Sequence, residues 1–398
     1  MCLAVAMNGH GVPICVDARM IRQGGTGTTT YAHGLIAAAQ AGERPFFLLK
    51  ADNDADGQLR KLAGAVMSRH ALRERAEAVP GQAMQREFAG RDVFRRAHVH
   101  FTLRGRFLQL QPPHPFGIMH WTYPVPIRMA GWINIYTVHD VIPLLYPELS
   151  PVSRRRHQAV LRELRRHADR IVTVSDAARS DIISVLNVKE SMVVNCGQAV
   201  LSQPHDAHRS PPLNLRQGGY FVYCGAIEPR KNLQRLIEAH AGSDVDEPLV
   251  IAGPDGWRAH DINGMIDRAP NVQRAGYLRR DELVSLIGGA RGLLFPSLAE
   301  GFGLPVAEAM ALGTPVLTSS AGALAEIAGD AALLVDPLDG AAIARGIRRL
   351  ASDDTLVGNL AARGRIRAEH FSLPRFCAQL TTVYDDALAA YSAPQRVK

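Results

Sequence analysis

No run of eighteen apolar residues occurs in this chain, so nothing in it predicts a helix that spans a membrane. The first residues, Met1 to Met7, are too short and too uncharged a stretch for a signal peptide. These two absences make a cytoplasmic protein the expectation. Cysteine is scarce. Cys2, Cys15, Cys196, Cys224 and Cys377 are scattered and odd in number, with no Cys-x-x-Cys pair. That argues against a zinc site and against a disulfide framework. Cys15, Cys196 and Cys224 stand in apolar runs and read as buried thiols. No zinc finger, RNA-binding sheet signature or basic tail is present, so the net charge of +7 is not read as a nucleic-acid footprint. An anionic membrane surface or phosphorylated substrates remain as partners for it. No Asp-x-Asp motif stands where it would hold a metal–diphosphate. Asp52-Asn53-Asp54 lies in a polar loop. Internal repeats and low-complexity segments are also missing.

What is present is an ordinary soluble composition, 47% hydrophobic and 21% charged, over a length of 398 residues that suits two domains. Short β-rich apolar runs alternate with helical patterns, the signature of parallel α/β sheets. Strands are expected in the first half at Pro13–Asp17, Pro45–Leu49, Ile133–Val138, Arg170–Val174 and Met192–Asn195. Residues 53–95 are charged and helical in pattern, with weaker strand signals. The second half is cleaner, with strands at Tyr220–Cys224, Leu249–Ala252, Val272–Ala275, Gly292–Phe295, Pro315–Thr318 and Ala332–Val335. Helices fall near Asn232–Ala241, Asp281–Gly288, Pro305–Leu312, Gly340–Ala351 and Pro374–Tyr391. The proline-rich, polar residues 202–217 read as a linker. The pattern predicts two Rossmann-like domains, residues 1–210 and 211–375, with a helix over about 376–398. Ligands of such sheets sit at the carboxyl ends of the strands.

Four motifs carry chemistry. In Glu300-Gly301-Phe302-Gly303-Leu304-Pro305-Val306-Ala307-Glu308, two carboxylates flank a glycine-rich turn that opens a helix. Gly301 and Gly303 allow close backbone approach, Pro305 suits the first helical position, and the helix N-terminus offers free N–H groups to an anion. A plain βαβ crossover with two solvated glutamates has the same outline. In Gly225-Ala226-Ile227-Glu228-Pro229-Arg230-Lys231-Asn232, a strand ends and a helix begins, with two cations between. Cations oppose the dipole at a helix N-terminus, so they need another reason to be there. Aimed at a phosphate-bearing ligand that crosses the sheet edge, they would stabilise its negative charge. The loop Gln23 to Tyr31 has glycines at 24, 25 and 27, a pattern that also suits a dinucleotide site, though the spacing departs from Gly-x-Gly-x-x-Gly. His139, in Thr137-Val138-His139-Asp140, stands just past a strand. It can be a structural hydrogen-bonder or a cleft residue, and Asp140 can cap the turn that follows.

Together these motifs resemble the GT-B glycosyltransferases, specifically the retaining family four, also described as glycosyl transferases group 1. The resemblance runs from about residue 14 to residue 340 and is weakest over 50–115. It implies a donor that is a nucleotide diphosphate sugar, bound as a co-substrate, with no other cofactor and no metal. Glu300 would contact the donor sugar and Glu308 the ribose. The backbone of Gly301, Phe302, Gly303 and Leu304 would hold the diphosphate, with Arg230 and Lys231 on its phosphates. Gly25 and Gly27 match the glycine loop that faces the donor, with Thr26 a departure from the Ile or Val usual between those glycines. His139 would line the catalytic cleft. Gly225, Gly253, Tyr277 and Leu278 match strand ends that border the donor site. The terminal helix would cross back to the first domain. The overall look, including Tyr136 to Pro147, resembles bacterial mannosyltransferases of polysaccharide assembly, which makes GDP-mannose the favoured donor and a glycan or lipid-linked saccharide the expected acceptor. A GT-B epimerase or hydrolase, or a non-catalytic nucleotide-sugar-binding subunit, is the alternative.

Ser153 to Arg166 forms an amphipathic pattern. At about 100° per residue, Arg154, Arg155, Arg162, Arg165 and Arg166 fall on one arc and Val160, Leu161, Leu164 and Ala168 on another. Such a basic face is either ordinary solvated surface or a peripheral contact with the anionic inner face of the plasma membrane.

Overall fold

A computed structural model describes residues 11–22, 27–42, 44–52, 69–77, 85–201 and 211–392. Its first part contains β1 (Ile14–Asp17), α1 (Gly27–Ala41), β2 (Phe46–Asp52), β3 (Arg69–Ala71), β4 (Arg73–Glu77), β5 (Gln85–Arg91), α2 (Val93–Arg104), β6 (Leu108–Gln111), β7 (Ile118–Trp121), β8 (Ile127–Met129) and β9 (Ile133–Thr137). There follow α3 (Ile142–Leu145), α4 (Arg154–His167), β10 (Arg170–Thr173), α5 (Asp176–Leu186) and β11 (Val193–Asn195). Eight of these strands form one sheet in the order β11-β10-β9-β7-β1-β2-β5-β4. Every pairing in it is parallel except β4 with β5. The remaining three, β3, β6 and β8, make a small parallel sheet.

The second part holds β12 (Phe221–Cys224), α6 (Leu233–Ala241), β13 (Leu249–Ala252), α7 (Ala259–Arg268), β14 (Val272–Gly276), α8 (Arg280–Gly288), β15 (Gly292–Phe295) and α9 (Leu304–Leu312). It ends with β16 (Val316–Ser319), α10 (Gly322–Ala328), β17 (Leu333–Val335), α11 (Gly340–Ser352), α12 (Asp354–Ala368) and α13 (Leu373–Ser392). Its sheet is wholly parallel, ordered β14-β13-β12-β15-β16-β17. Strands β12, β13, β15 and β16 are buried at every residue, which is why they read in the sequence as unbroken apolar runs.

One expectation fails. Within residues 53–95, read as helical, the described segments 69–77 and 85–91 are strands, and the helix α2 starts only at Val93. β4 reads Arg-Glu-Arg-Ala-Glu and lies at the sheet edge, where charged side chains discourage pairing with another chain. Its alternation of charges resembled a solvated helix. Asp52, expected in a loop, ends β2 and pairs with Arg75 at 2.9 Å. A smaller shift puts Pro305 second in α9, with Gly303 as the residue that caps it.

The final helix α13 lies on the first sheet's side of the molecule. Tyr384 of α13 bonds His120 of β7 at 2.8 Å, Phe376 meets the edge of Tyr31, and Asp385 pairs with Arg44. Among the described residues no helix is long and apolar enough to cross a membrane.

Candidate active site

In the second sheet the chain runs from β12 outward through β13 to β14, then returns to the other side of β12 with β15. A crevice opens at the carboxyl ends of strands where the order reverses in this way. Two loops fill its rim, one after β12 and one after β15. The first contains a single tight turn, Pro229–Lys231, and then Asn232 in the left-handed region at φ 61°. The Asn232 amide donates to the carbonyls of Pro296 at 2.9 Å and Pro337 at 2.7 Å. Leu298 N–H donates to the Arg230 carbonyl at 2.9 Å. The loops are thereby tied to each other before any charged side chain acts. Gly253, at the end of β13 with φ 142°, has no room for a side chain, because a Cβ there would overlap the Gly225 carbonyl oxygen.

Glu300, Arg230 and Lys231 converge at this rim. Arg230 Nη1 lies 2.7 Å from Glu300 Oε2 and donates also to the Ala299 carbonyl at 2.9 Å. Its Nη2 takes Glu228 Oε1 at 2.7 Å. Lys231 Nζ donates to Glu300 Oε1 at 2.6 Å and stands 5.0 Å from the centre of the Phe295 ring. Lys231 is buried, and the Glu300 side chain is 9% exposed. Burial works to raise the Glu300 carboxyl, but the Arg230 and Lys231 charges and their hydrogen bonds outweigh it and hold the pKa at about 2. Burial pulls the Lys231 ammonium below its ordinary value against the pull of Glu300. Glu300 is therefore a fixed anion at neutral pH. It can accept hydrogen bonds and orient cations, but it has no proton to give. Lys231 uses one of its three N–H donors on Glu300, leaving two to turn toward a ligand in the crevice.

Glu308, in the second turn of α9, is buried and pairs with Arg280 Nη2 at 2.7 Å. Arg280 opens α8, just past β14, so this pair lies toward the β14 side of the crevice. Phe302 is buried edge-on to Phe371 at 5.4 Å, and Leu304 is the first residue of α9. Tyr277 follows β14 with 64% of its surface exposed, and Leu278 beside it is half-buried. Gly25 lies outside the described residues, and Gly27 is the exposed first residue of α1.

Glycine at 301 lets the loop after β15 press against the first sheet. A Cβ there would come within 2.6 Å of the His139 carbonyl and 3.2 Å of Asp140. The Gly301 carbonyl accepts from Ser175 Oγ at 2.7 Å. Glu326 of α10 accepts from the N–H groups of Asp176 and Ala177, both at 2.8 Å, and so caps α5 from across the cleft. His139 thus faces the Glu300 loop. Its Nε2–H donates to the Thr122 carbonyl at 3.0 Å, leaving Nδ1 as the acceptor, and Tyr31 meets its ring edge at 4.7 Å. Burial lowers its pKa, against the Thr122 bond and Asp140. The Asp140 carboxylate caps the next turn by accepting from Ile142 N–H at 3.0 Å. Thr122 is in turn fixed by Asp17, whose Oδ2 accepts from its N–H at 2.5 Å and its hydroxyl at 2.9 Å.

Sequence reasoning missed Glu228, Arg280, Glu326, the Ser175–Gly301 bond and the Asp17–Thr122 bond. Two of these carried a signal: Glu228 sits inside the Gly225–Asn232 motif, and Arg280 is a cation just past a strand end. The others join residues more than one hundred positions apart and have no local mark.

The model of a protein family described as glycosyl transferases group 1 matches residues 207–367. The O-antigen chain mannosyltransferase B of Escherichia coli is 33% identical over 63% of this chain and 69% of its own length. The serotype-specific mannosyltransferase WbdA of Escherichia coli is 27% identical over 63% of this chain, which spans only 33% of that longer protein. Among solved structures, sucrose-phosphate synthase from Thermosynechococcus elongatus superposes with a TM-score of 0.67 at 19% identity, covering 95% of this chain and all of that one. Two doubly wound sheets facing each other across a cleft, the family match and the first of these relatives lead to one conclusion: the chain belongs to the group 1 glycosyl transferases and has the GT-B fold.

Proposed function

We propose that this glycosyltransferase moves mannose from GDP-mannose to a glycan or lipid-linked saccharide, with retention of anomeric configuration, in polysaccharide assembly. The observation that carries it is the convergence of Arg230, Lys231 and Glu300 at the carboxyl ends of β12 and β15. The choice of mannose rests on the mannosyltransferase relatives. In the reaction, the bond between the sugar carbon C1 and the diphosphate oxygen breaks, and a bond from C1 to an acceptor hydroxyl oxygen forms. The hydroxyl proton leaves with the diphosphate. Lys231 and Arg230 meet the charge that grows on the leaving oxygen, and fixed cations at that position need no metal. Glu300 keeps both cations in place and accepts from a sugar hydroxyl. Glu308 and Arg280 lie where the ribose end would fall, and His139 lines the acceptor side. Residues 1–210 and 211–375 are proposed as the acceptor-side and donor-side domains, with the helix about 376–398 belonging to the first.

Incubation with a panel of nucleotide sugars and synthetic lipid-linked mannosides tests this. GDP-mannose should be consumed only when acceptor is present, and the product should keep the α configuration by its C1 proton coupling. Free mannose without acceptor would make it a hydrolase. Binding of GDP-mannose without turnover would make it a binding subunit.

The basic face of α4 is proposed to meet an anionic leaflet. Arg154, Arg155, Arg162, Arg165 and Arg166 are all exposed, while Val160, Leu161 and Leu164 are buried. Two of the five are partly engaged, Arg165 with the Leu186 carbonyl and Arg166 with Glu163. Each free basic residue adds about 1 kcal/mol near such a surface. Flotation with anionic liposomes at low salt, lost at high salt, is the expected result. Equal binding to neutral liposomes would contradict it.

A further inference from the structure

The first sheet has a crevice of its own. From β1 the chain runs outward through β2 to β5, then returns to the other side of β1 with β7, so the order reverses between β1 and β7. Arg19 follows β1 and Tyr123 follows β7. The Arg19 guanidinium lies 5.2 Å from the centre of the Tyr123 ring and 5.7 Å from that of Phe94 on α2, so two aromatic faces hold its fork. Its Nη1 lies 2.8 Å from His98 Nε2, and Arg156 Nη2, from the first turn of α4, lies 3.4 Å from His98 Nδ1. A neutral imidazole accepts at only one nitrogen, so one of the two guanidiniums faces a ring N–H.

Among the described residues, no carboxylate lies within ion-pair distance of Arg19 or Arg156. Asp17 has one oxygen on Thr122 and the other on the Arg19 backbone N–H, so it acts on the guanidinium through space and not as a salt bridge. Two like charges are thus gathered on one imidazole with no salt bridge to either, and among the described residues only the through-space charge of Asp17 offsets Arg19. The cluster adjoins the candidate active site, because Thr122, next to Tyr123, accepts from His139.

We infer that Arg19 and Arg156 bracket a subsite for a phosphate-bearing group of the acceptor. His98 spaces the two forks, and Phe94 and Tyr123 orient the first. A diphosphate that links a saccharide to a lipid and a phosphate on a sugar share this chemistry. The subsite rests on the transferase reading above for its role as the acceptor end, but its charge pattern stands apart from the donor residues.

Calorimetric titration of the full chain with pyrophosphate, mannose 1-phosphate and methyl mannoside tests it. Both phosphate-bearing probes should bind, and R19Q/R156Q should weaken them at least tenfold with GDP affinity and melting temperature unchanged. These titrations are run with the donor site saturated with GDP, so that Arg230 and Lys231 are already occupied, and R19K/R156K should recover part of the loss. Tighter pyrophosphate would assign the lipid diphosphate, and tighter mannose 1-phosphate the sugar phosphate. Equal probe affinity in the wild-type and R19Q/R156Q chains, or no binding of either phosphate-bearing probe, would overturn the subsite. A chain that binds the probes through Arg19 and Arg156 yet transfers no sugar keeps the subsite and contradicts only the transferase reading.

Discussion

Glu300 acts through its charge. It holds Arg230 and Lys231 at 2.7 and 2.6 Å, and its pKa near 2 keeps it ionised over the whole working range of pH. Glu300→Gln keeps the shape and removes the charge. A charged hydrogen bond contributes about 1.5–3 kcal/mol, so turnover should fall about ten- to a hundredfold if that bond is expressed in the transition state. GDP affinity should change far less, and steady-state kinetics beside calorimetry separates the two. Unchanged turnover would remove Glu300 from the reaction. The motif made Glu300, Arg230 and Lys231 legible in the sequence, since each lies in a short run with glycine or proline beside it. Their partner Glu228 lies in the same motif but was not singled out, because a glutamate is an ordinary surface residue type until the fold brings it to a guanidinium.

Between elements, the cleft is set by how closely the loop after β15 approaches the loop after β9. Gly301 makes that approach possible, and the Ser175 bond and the Glu326 cap hold it. Gly301→Ala would drive a methyl group to 2.6 Å from the His139 carbonyl. Because that atom is backbone and the contact lies well inside van der Waals distance, the two loops themselves must part, at a cost of roughly 1–3 kcal/mol as for overpacking elsewhere. Turnover should drop while chemical denaturation shows only that modest loss. Full activity in Gly301→Ala would mean the contact does not shape the site. Strands β12, β13, β15 and β16 of the second sheet were legible because they are buried at every residue and read as apolar runs. Strand β7, Ile118–Trp121, was not expected, because four residues ending in His and Trp carry too little period to identify. The charged edge strand β4 was mistaken for helix for the opposite reason, an excess of polar residues.

Across the whole molecule, the C-terminal helix is joined to the first sheet by a buried polar chain. Tyr31 and His120 both bond the Thr137 hydroxyl, at 2.8 and 2.9 Å, and His120 bonds Tyr384 of α13 at 2.8 Å. Burial, and then the charge of nearby His139, push the His120 pKa down to about 3. An unfolded histidine titrates near 6.5. As pH falls below that value the unfolded chain binds the proton first, so this group's contribution is present above pH 6.5 and is lost as pH falls toward 3. At pH 5 the loss is about 2 kcal/mol. Asp17, pushed up to about 6 by its burial, works in the other direction over pH 6 to 4. Comparing His120→Gln with the wild type at pH 7 and pH 5 isolates the histidine. Denaturant unfolding should show the wild type losing about 2 kcal/mol more than the variant, and parallel losses would contradict the burial of a neutral His120. Arg19 and Arg156, without a salt bridge among the described residues, stand on the first sheet's side of the cleft, and Arg230 and Lys231 on the second's. On the proposed reading, both faces of the cleft meet anionic groups, the donor's diphosphate on one and the acceptor's phosphate on the other.

The most direct test of the donor site is sugar transfer from GDP-mannose by the wild-type and Lys231→Met chains, each with and without a chelator. Removing one fixed donor of this kind costs about 2.7–4 kcal/mol of transition-state stabilisation, or about a hundred- to a thousandfold in turnover. The predicted result is a loss of that size in Lys231→Met with every donor the wild type uses, and wild-type activity that survives the chelator. Wild-type turnover in Lys231→Met, or wild-type activity lost in chelator and restored by magnesium or manganese, would contradict it.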